Sequence, residues 1–411
     1  MKISSESRLS TKPILLGGLL ILAVMGSPAA QSQGTASERA ERFRRMSQEA
    51  EARGLAETFK GVTRDGQIIP SLFAVRSSGV STEPVRQAAS AFLAVLSPDQ
   101  RAKTLFPVND DEWRKWMNQH FYVRQGVSLS EMSEAQRQVA IDLLRASLSA
   151  KGLQQSQDIM RLNHTLGELN GNNFEEYGEG RYWITLMGEP HASEPWGWQL
   201  DGHHLIINYF VMGDQVVMTP TFMGSEPVTA TSGKYRGTAV LQREQAKGLA
   251  LINAFNDDQR KHAVLQTSKR GQNNVAEAFK DNVVLDYAGI RAADLSAAQQ
   301  DTLLDLIQEH VANLRDGHAQ VKMDEVRQHL DATHFAWIGE TTADSVFYYR
   351  VQSPVVLIEF DHQPHINMPG VERGKPTRQH IHSIVRTPNG NDYGKDLLRQ
   401  HYQQHPHPHR H

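Results

Sequence analysis

The sequence predicts an α+β protein made of two halves related by a pseudo-twofold axis, each a helical segment followed by an antiparallel β-meander. A phrase around Gly126 and Gln136 recurs with the same spacing around Gly289 and Gln299. Strand-like aromatic segments follow each helical block, starting near Arg181 in the first half and near Val346 in the second. A duplication of this kind places a special site near the axis between the halves.

Four helix starts support this arrangement. In each, a Ser or Asn stands three residues before a Gln, which is the pattern of a capping box. Two fall in each half, at Ser97, Ser133, Asn256 and Ser296.

The N-terminus is typical of an export signal. Basic residues precede a short apolar stretch at 14–25, and Ser27 and Ala29 provide the small side chains that a signal peptidase requires. The stretch is too short to span a bilayer. We therefore expect a periplasmic or secreted protein without a membrane anchor after signal cleavage.

The remaining chain divides by pattern. Asp65-Gly66 between β-branched residues predicts a hairpin at 59–73. Residues 163–180 have the composition of a turn-rich connector, and 363–379 that of a Pro- and Gly-rich loop which, as a lid, would lie against His380 or His382. The expected order is signal peptide 1–30, N-terminal helix and hairpin 31–83, first repeat 84–240, second repeat 241–400 and a disordered His-rich tail 401–411.

Composition narrows the chemistry. The 411-residue chain has no cysteine, so thiolate sites and disulfides are excluded and any metal must be bound through nitrogen and oxygen. The net charge is −3 and no basic block is present, which argues against nucleic-acid partners and favours a small-molecule ligand. The length exceeds that of a usual single core, so two cores are expected.

Two histidine pairs are the candidate site residues. On a strand, His380 and His382 share one face, whereas adjacent His203 and His204 point to opposite faces, so only one of the latter can join a common site. Together with a carboxylate from Glu359 or Asp361, these three imidazoles would form a ligand set that suits zinc, iron, manganese or copper. A shared site requires the imidazole nitrogens to converge to about 3 to 4 Å.

Other interpretations stay open. The imidazoles of His203, His204, His380 and His382 could serve as acids and bases or bind substrate in a metal-free cleft, or could be purely structural. Arg386 is a further catalytic candidate, but its sequence context favours an ion pair with Asp392 that fixes the final hairpin. Asp201 and Asp392 are expected to accept hydrogen bonds from ligating histidines.

Motifs along the chain resemble the DUF3500 family of uncharacterised proteins from about residue 35 to 405. They include Gly197-Trp-Gln-Leu-Asp-Gly-His-His-Leu, Phe347-Tyr-Tyr-Arg-Val, His380-Ile-His-Ser-Ile-Val-Arg and Asp392-Tyr-Gly-Lys-Asp-Leu-Leu. The chain departs from the family's Asn-His-x-His pattern, because Gln379 precedes the pair. The resemblance implies no established activity.

Two functions are compatible with these observations. The first is an exported enzyme that uses a metal or histidine acid/base chemistry on a small polar or carbohydrate-like substrate, in a cleft between the repeats. The second is a non-catalytic periplasmic binding or envelope-interaction protein with structural histidines.

Overall fold

One large mixed sheet organises the protein. The computed structural model describes residues 36–405, so the predicted signal peptide and the last residues of the predicted tail, 406–411, lie outside it. Within the described range the chain forms 11 α-helices and one sheet of 13 strands. Of the described residues, 36–42 form one unit and those from Phe43 onward form another.

The helices and strands alternate in blocks along the chain. The helices are α1 Ala36–Gly54, α2 Glu83–Val95, α3 Pro98–Thr104, α4 Glu134–Ser147, α5 Ala150–Leu169, α6 Phe174–Tyr177, α7 Gln242–Asn253, α8 Asp257–Ala263, α9 Ala297–Val311, α10 Asp316–Gln328 and α11 Lys395–Gln404. The strands are β1 Leu105–Phe106, β2 Val127–Ser128, β3 Tyr182–Met187, β4 Trp196–Gly202, β5 Leu205–Met212, β6 Gln215–Val217, β7 Thr221–Ser225, β8 Val264–Gln266, β9 Ile290–Arg291, β10 His334–Gly339, β11 Phe347–Gln352, β12 Leu357–Pro364 and β13 Pro376–Arg386.

The centre of the sheet is the antiparallel pair β7 and β13. From this pair the order is β5, β4, β3, β1 on one side and β12, β11, β10, β8 on the other. The outermost pairings, β1 with β3 and β8 with β10, are parallel, and the other pairings are antiparallel. The two ends of the sheet are therefore built alike.

Local chemistry explains why the two blocks of helices begin where they do. All four predicted capping boxes form, at Ser97, Ser133, Asn256 and Ser296, so these helix starts are confirmed. The capping glutamines also join neighbouring helices. The Nε2 atom of Gln136 donates to the Oε1 atom of Gln100 at 2.8 Å, and Gln299 donates to Gln259 at 2.8 Å.

Gly126 and Gly289 occupy matching turns. Their φ angles are +84° and +85°, a region that favours glycine. A Cβ atom would lie 2.2 Å from the carbonyl oxygen of Ile184 in the first case and 2.0 Å from that of Phe335 in the second. Both repeated positions therefore require glycine for the same reason, because the turn closely approaches a strand of the sheet.

Four expectations about organisation are wrong. Residues 59–73 form no hairpin, because Thr63 pairs through its backbone with the distant Val283 and Leu285. The connector at 163–180 is largely helical, since α5 runs to Leu169 and α6 follows. The disordered tail does not begin at residue 401 as predicted, because α11 runs to Gln404 and its His401 is buried.

The fourth concerns the core. Two separate cores were expected from the chain length, yet one continuous hydrophobic cluster contains side chains from both ends of the sheet. The cause is the β7–β13 pairing, which makes one sheet of both blocks of strands.

Candidate metal centre

His203 and His204 form the two-residue turn between β4 and β5. Gly202 and Leu205 pair across this turn, and His204 has a φ of +62°. The prediction that the two side chains point to opposite faces is wrong, because a turn does not follow strand alternation. Their rings instead stack with centroids 4.0 Å apart.

The second pair lies on β13, next to this turn. His382 stands opposite Gly224 of β7, and the backbone N–H of Gly224 donates to the carbonyl of His204 at 2.8 Å. A Cβ atom at Gly224 would lie 2.6 Å from the carbonyl oxygen of Ile381 and 3.3 Å from His382 Cδ2. The absence of a side chain at this position allows the turn and β13 to meet.

Three imidazole nitrogens converge at this point. His380 Nε2 lies 3.1 Å from His382 Nε2 and 3.3 Å from His204 Nε2. One nitrogen from each of the three rings lies within 4.8 Å of the others, and each residue is at most 6% exposed. The predicted convergence of the β13 pair with one member of the turn pair therefore occurs, and the member is His204.

Hydrogen bonds on the far side of the rings determine which nitrogens carry protons. His380 Nδ1 lies 2.7 Å from the carbonyl oxygen of Pro364, and His382 Nδ1 lies 2.7 Å from a carboxylate oxygen of Glu277. Both oxygens only accept, so each Nδ1 must donate. In the neutral rings the two Nε2 lone pairs therefore face each other at 3.1 Å, which is repulsive unless a cation lies between them.

The spacing fits a metal ion. Nitrogen ligands about 2.1 Å from a common ion lie about 3.4 Å apart at tetrahedral angles and about 3.0 Å apart at right angles. The two Nε2 separations on His380, 3.1 and 3.3 Å, lie in this range. Imidazole is a favourable ligand for zinc, copper, iron and nickel.

Burial favours the uncharged forms of His204 and His380. It lowers the pKa of His380 to about 4, with a further lowering from His382 that Glu226 partly offsets. Burial likewise places the pKa of His204 well below its usual value, and the neighbouring His203, His380 and His382 add to this effect. Neutral imidazole is the form that binds a metal.

The two predicted carboxylate ligands have a different role. Glu359 accepts hydrogen bonds from the backbone of Val275 and Ala276 and from Tyr348 Oη. Asp361 forms an ion pair with Lys269 at 2.9 Å and accepts from the backbone of Asn273 at 2.6 Å. Neither belongs to the histidine group, so their assignment as ligands is not supported by the geometry.

These carboxylates hold a loop in place. We call residues 269–282 the strap, and it runs across the sheet face that carries His380 and His382. Burial raises the pKa of Glu359 to about 7 and that of Asp361 to about 6, and hydrogen bonds and Lys269 oppose this rise. These two carboxylates position the strap, and the strap places Glu277 beside His382.

Arg386 fixes the other part of the strap. Its guanidinium donates to the carbonyls of Ala276 and Glu277 and to the carboxylates of Asp281 and Asp392, at 2.7 to 3.0 Å. The residue is fully buried. Arg386 does not reach the histidine nitrogens, so it is a positioning residue, and the predicted ion pair with Asp392 is present.

A loop covers the opposite side of the cluster. Residues 365–375 connect β12 and β13, and this connecting loop is shorter than the predicted 363–379 because both strands extend into that range. Glu226 accepts from the backbone of Ile366 and Asn367 and from His365, and its carboxylate lies 3.9 Å from His380 Nδ1. The loop is therefore linked to His380 through Glu226, and its action as a lid stays a prediction.

His203 is oriented away from the cluster. Its Nδ1 atom lies 2.7 Å from Asn163 Oδ1, and its ring contacts those of His120 and Tyr177 at centroid distances of 5.6 and 5.8 Å. It supports His204 through ring stacking and is not a member of the converging set.

The hydrogen-bond acceptors were the hardest part to predict. Asp201 forms an ion pair with Arg124 at 2.9 Å, and Asp392 with Arg386, so neither accepts from a clustered histidine. The acceptors in the structure are Glu277 and the Pro364 carbonyl. Neither lies in a sequence motif that would identify it as an acceptor. Gln379 is exposed and its side chain does not orient the histidines.

The fold and site together define a mixed α/β protein with a buried three-histidine cluster at the centre of its sheet. The chain belongs to the family described as "Protein of unknown function (DUF3500)", whose model matches residues 78–395, and the predicted resemblance is confirmed. No curated protein and no solved structure matches it. Among residues 36–405, none of the helices is both long and apolar enough to cross a bilayer.

Proposed function

We propose that this protein is a metal-dependent enzyme whose divalent ion is bound by His204, His380 and His382. One observation carries the proposal: three buried Nε2 atoms converge while acceptors fix the opposite nitrogen of His380 and His382. The facing Nε2 lone pairs of neutral His380 and His382 are costly without a proton or a metal ion between them.

Three protein ligands favour catalysis over a structural role. Structural zinc sites usually have four protein ligands, and catalytic ones keep an open position. An ion bound here would supply a Lewis acid able to polarise a substrate oxygen or to lower the pKa of water. The ligand set is neutral, so the positive charge of the ion is not cancelled by its direct ligands.

The surrounding side chains have separable roles. Glu277 accepts from His382 and fixes the ring, an arrangement that raises the basicity of a ligating imidazole. Burial disfavours the charged form of Glu277, but His382 and Asn274 outweigh this effect and the net result is a lowered pKa. Glu226 also has a lowered pKa despite burial, because His380 and the backbone of the 365–375 loop stabilise its charge.

The substrate class that fits best is a small polar or carbohydrate-like molecule. The cluster is buried and the 365–375 loop covers it, so a polymer would have to displace that loop. Polar groups surround the histidines, among them Glu226 and the Tyr177 phenol, whose pKa is raised by burial, by Glu176 and by Glu226. We infer that the loop opens to admit this molecule and closes to exclude water.

Two wider features belong to the same proposal. The matched glycines and glutamines and the strand order outward from β7–β13 support an internal duplication with pseudo-twofold halves. The charged and apolar pattern of residues 1–30 supports export to the periplasm or cell exterior. The site would then lie where the two halves join.

Metal analysis tests the assignment. Protein ending at His405, which lacks the histidines at 407, 409 and 411, is purified and incubated with a slight excess of zinc, iron, manganese or copper, then desalted. We expect one ion per chain, with zinc retained best, and none in His380→Ala or His382→Ala. His262→Ala is the matched control, because this exposed histidine lies outside the cluster. Absence of stoichiometric metal from the unmodified protein would overturn the proposal.

A second candidate is metal-free acid/base catalysis. It is favoured by the Glu277–His382 pair at 2.7 Å, since a carboxylate behind an imidazole stabilises its protonated form. In that case His382 would be a proton donor to substrate, and activity would resist exhaustive chelation.

A further inference from the structure

The helix-covered face of the sheet contains a cavity of about 350 Å³ that is separate from the histidine cluster. It is lined by residues of β6, β7, α9 and α10 and by Val385 and Thr387 at the end of β13. Val385 alternates with His382 along the strand, so it points to the opposite face. Ser383 on that face contacts His310, which also lines the cavity.

This space is too large to be a packing defect. Protein interiors contain few voids larger than a water molecule, whereas small-molecule pockets occupy about 300 to 1,000 Å³. The walls combine polar and apolar side chains, and the apolar ones include Phe73, Val217, Met218, Val311 and Leu397. The apolar side chains favour a ligand with an apolar body.

Among the described residues, two buried side chains of the wall have a polar atom without a protein partner, His318 at Nδ1 and Asn391 at Nδ2. Asn391 lines the cavity and is 2% exposed, and its Oδ1 atom accepts from the backbone N–H of Leu397 at 3.4 Å. Among the described residues its Nδ2 atom makes no hydrogen bond. A buried amide N–H₂ without an acceptor costs free energy. The cavity therefore offers a hydrogen-bond donor to a ligand oxygen.

The charges around the cavity argue against an ionic ligand. Lys322 is paired with Glu325 at 2.6 Å, and Arg76 is exposed to solvent. No unpaired charge is available among the buried lining residues to compensate a buried ionic group. We propose that this cavity is a second ligand site, for an uncharged small molecule with an apolar body and an acceptor oxygen that binds Asn391 Nδ2.

A ketone and an alcohol with the same carbon skeleton test whether the ligand oxygen binds Asn391 Nδ2. Binding of 2-octanone and 2-octanol to the full protein is measured by ligand-observed NMR, and the unmodified protein should bind both. Asn391→Asp keeps the acceptor for Leu397 but removes the donor. It should weaken 2-octanone about tenfold and leave 2-octanol within about threefold, since the alcohol can donate to the carboxylate.

A second variant and a control keep the test decisive. Val385→Phe fills the cavity and should abolish binding of both compounds, whereas the exposed control His262→Ala should bind both normally. Thermal midpoints and bound metal are recorded for each variant, so a failure of the histidine-site proposal is seen separately. Lack of binding to the unmodified protein at millimolar concentrations, or equal weakening of ketone and alcohol by Asn391→Asp, would overturn the inference.

Discussion

The histidine cluster and the adjacent carboxylates of β12 are both buried polar groups, yet they differ in how they are satisfied. Glu359 and Asp361 receive backbone N–H groups, a tyrosine hydroxyl and the Lys269 ammonium. The Nε2 atoms of His204, His380 and His382 face one another. Carboxylates paired with donors from the protein hold the structure together, whereas imidazole nitrogens that have only one another as partners are suited to bind a metal ion.

The largest expected effect comes from breaking the support of the strap. Arg386→Ala leaves the buried carboxylate of Asp392 without its cation and leaves Asp281 paired with Arg114 alone, so the free energy of unfolding should fall by about 3 to 5 kcal/mol. Bound metal should be lost as well, because Glu277 is no longer held. Urea unfolding and metal analysis measure the two effects. Arg399, an exposed member of an ion pair, is the control. Arg399→Ala should lower the free energy of unfolding by less than about 1 kcal/mol. A similar small cost at Arg386 would contradict the role of the strap.

The histidines should behave in the opposite way. His382→Ala should abolish metal binding but change the stability of the metal-free protein by only about 1 kcal/mol, since the ring has repulsive neighbours. The unmodified protein should gain about 4 kcal/mol when zinc is present at 1,000 times its Kd, and the variant nothing. Thermal scans with and without zinc measure this difference. Collapse of the metal-free variant would identify His382 as a structural residue instead.

The expected effect of changing Glu277 lies between those of Arg386→Ala and His382→Ala. Glu277→Gln keeps an acceptor for His382 but removes its charge, so zinc affinity should fall about 10- to 100-fold without loss of folding. Competition with a chromogenic chelator measures the Kd. Glu372→Gln on the exposed loop should leave it unchanged. An unaltered affinity in Glu277→Gln would remove this residue from the site.

Another buried carboxylate, Glu112, gives a test by pH. Burial raises the pKa of Glu112 to about 8, with partial relief from Lys115, and one of its oxygens has no hydrogen bond. Between about pH 5 and 8 the folded protein holds a proton that the unfolded chain has released. Stability should therefore fall as pH rises, by at most about 1.4 kcal/mol per unit.

The matched variant isolates this slope. Glu112→Gln resembles the protonated acid, so the difference in unfolding free energy between it and the unmodified protein should grow from pH 6 to pH 8. A difference that stays constant over this range would show that Glu112 is already ionised at pH 6.

Local patterns predicted well what depends on neighbouring residues. The capping boxes at Ser97, Ser133, Asn256 and Ser296 require only four residues each, and all four formed. The shared face of His380 and His382 followed from strand alternation in the same way. His204 joined them, although the alternation argument for its pair failed at the turn.

What depends on distant pairing could not be predicted. Glu277 acquires its position because Glu359 and Arg386 hold the backbone on either side of it, and nothing in its own neighbourhood indicates this. The hairpin predicted at 59–73 failed for a related reason, since Thr63 found a partner near residue 284. Sequence periodicity reports burial and face, and it does not report which remote segment supplies a hydrogen bond.

The β7–β13 pairing also fixes the order in which the site can be assembled. His204 belongs to the first block of strands, whereas His380 and His382 lie on the last strand of the chain. The separation along the chain makes this contact slow to form, because long-range closure precedes it. An ion that meets the growing polypeptide finds only His204 of the three clustered histidines until β13 has been synthesised. Metal capture would then follow the pairing of β7 with β13.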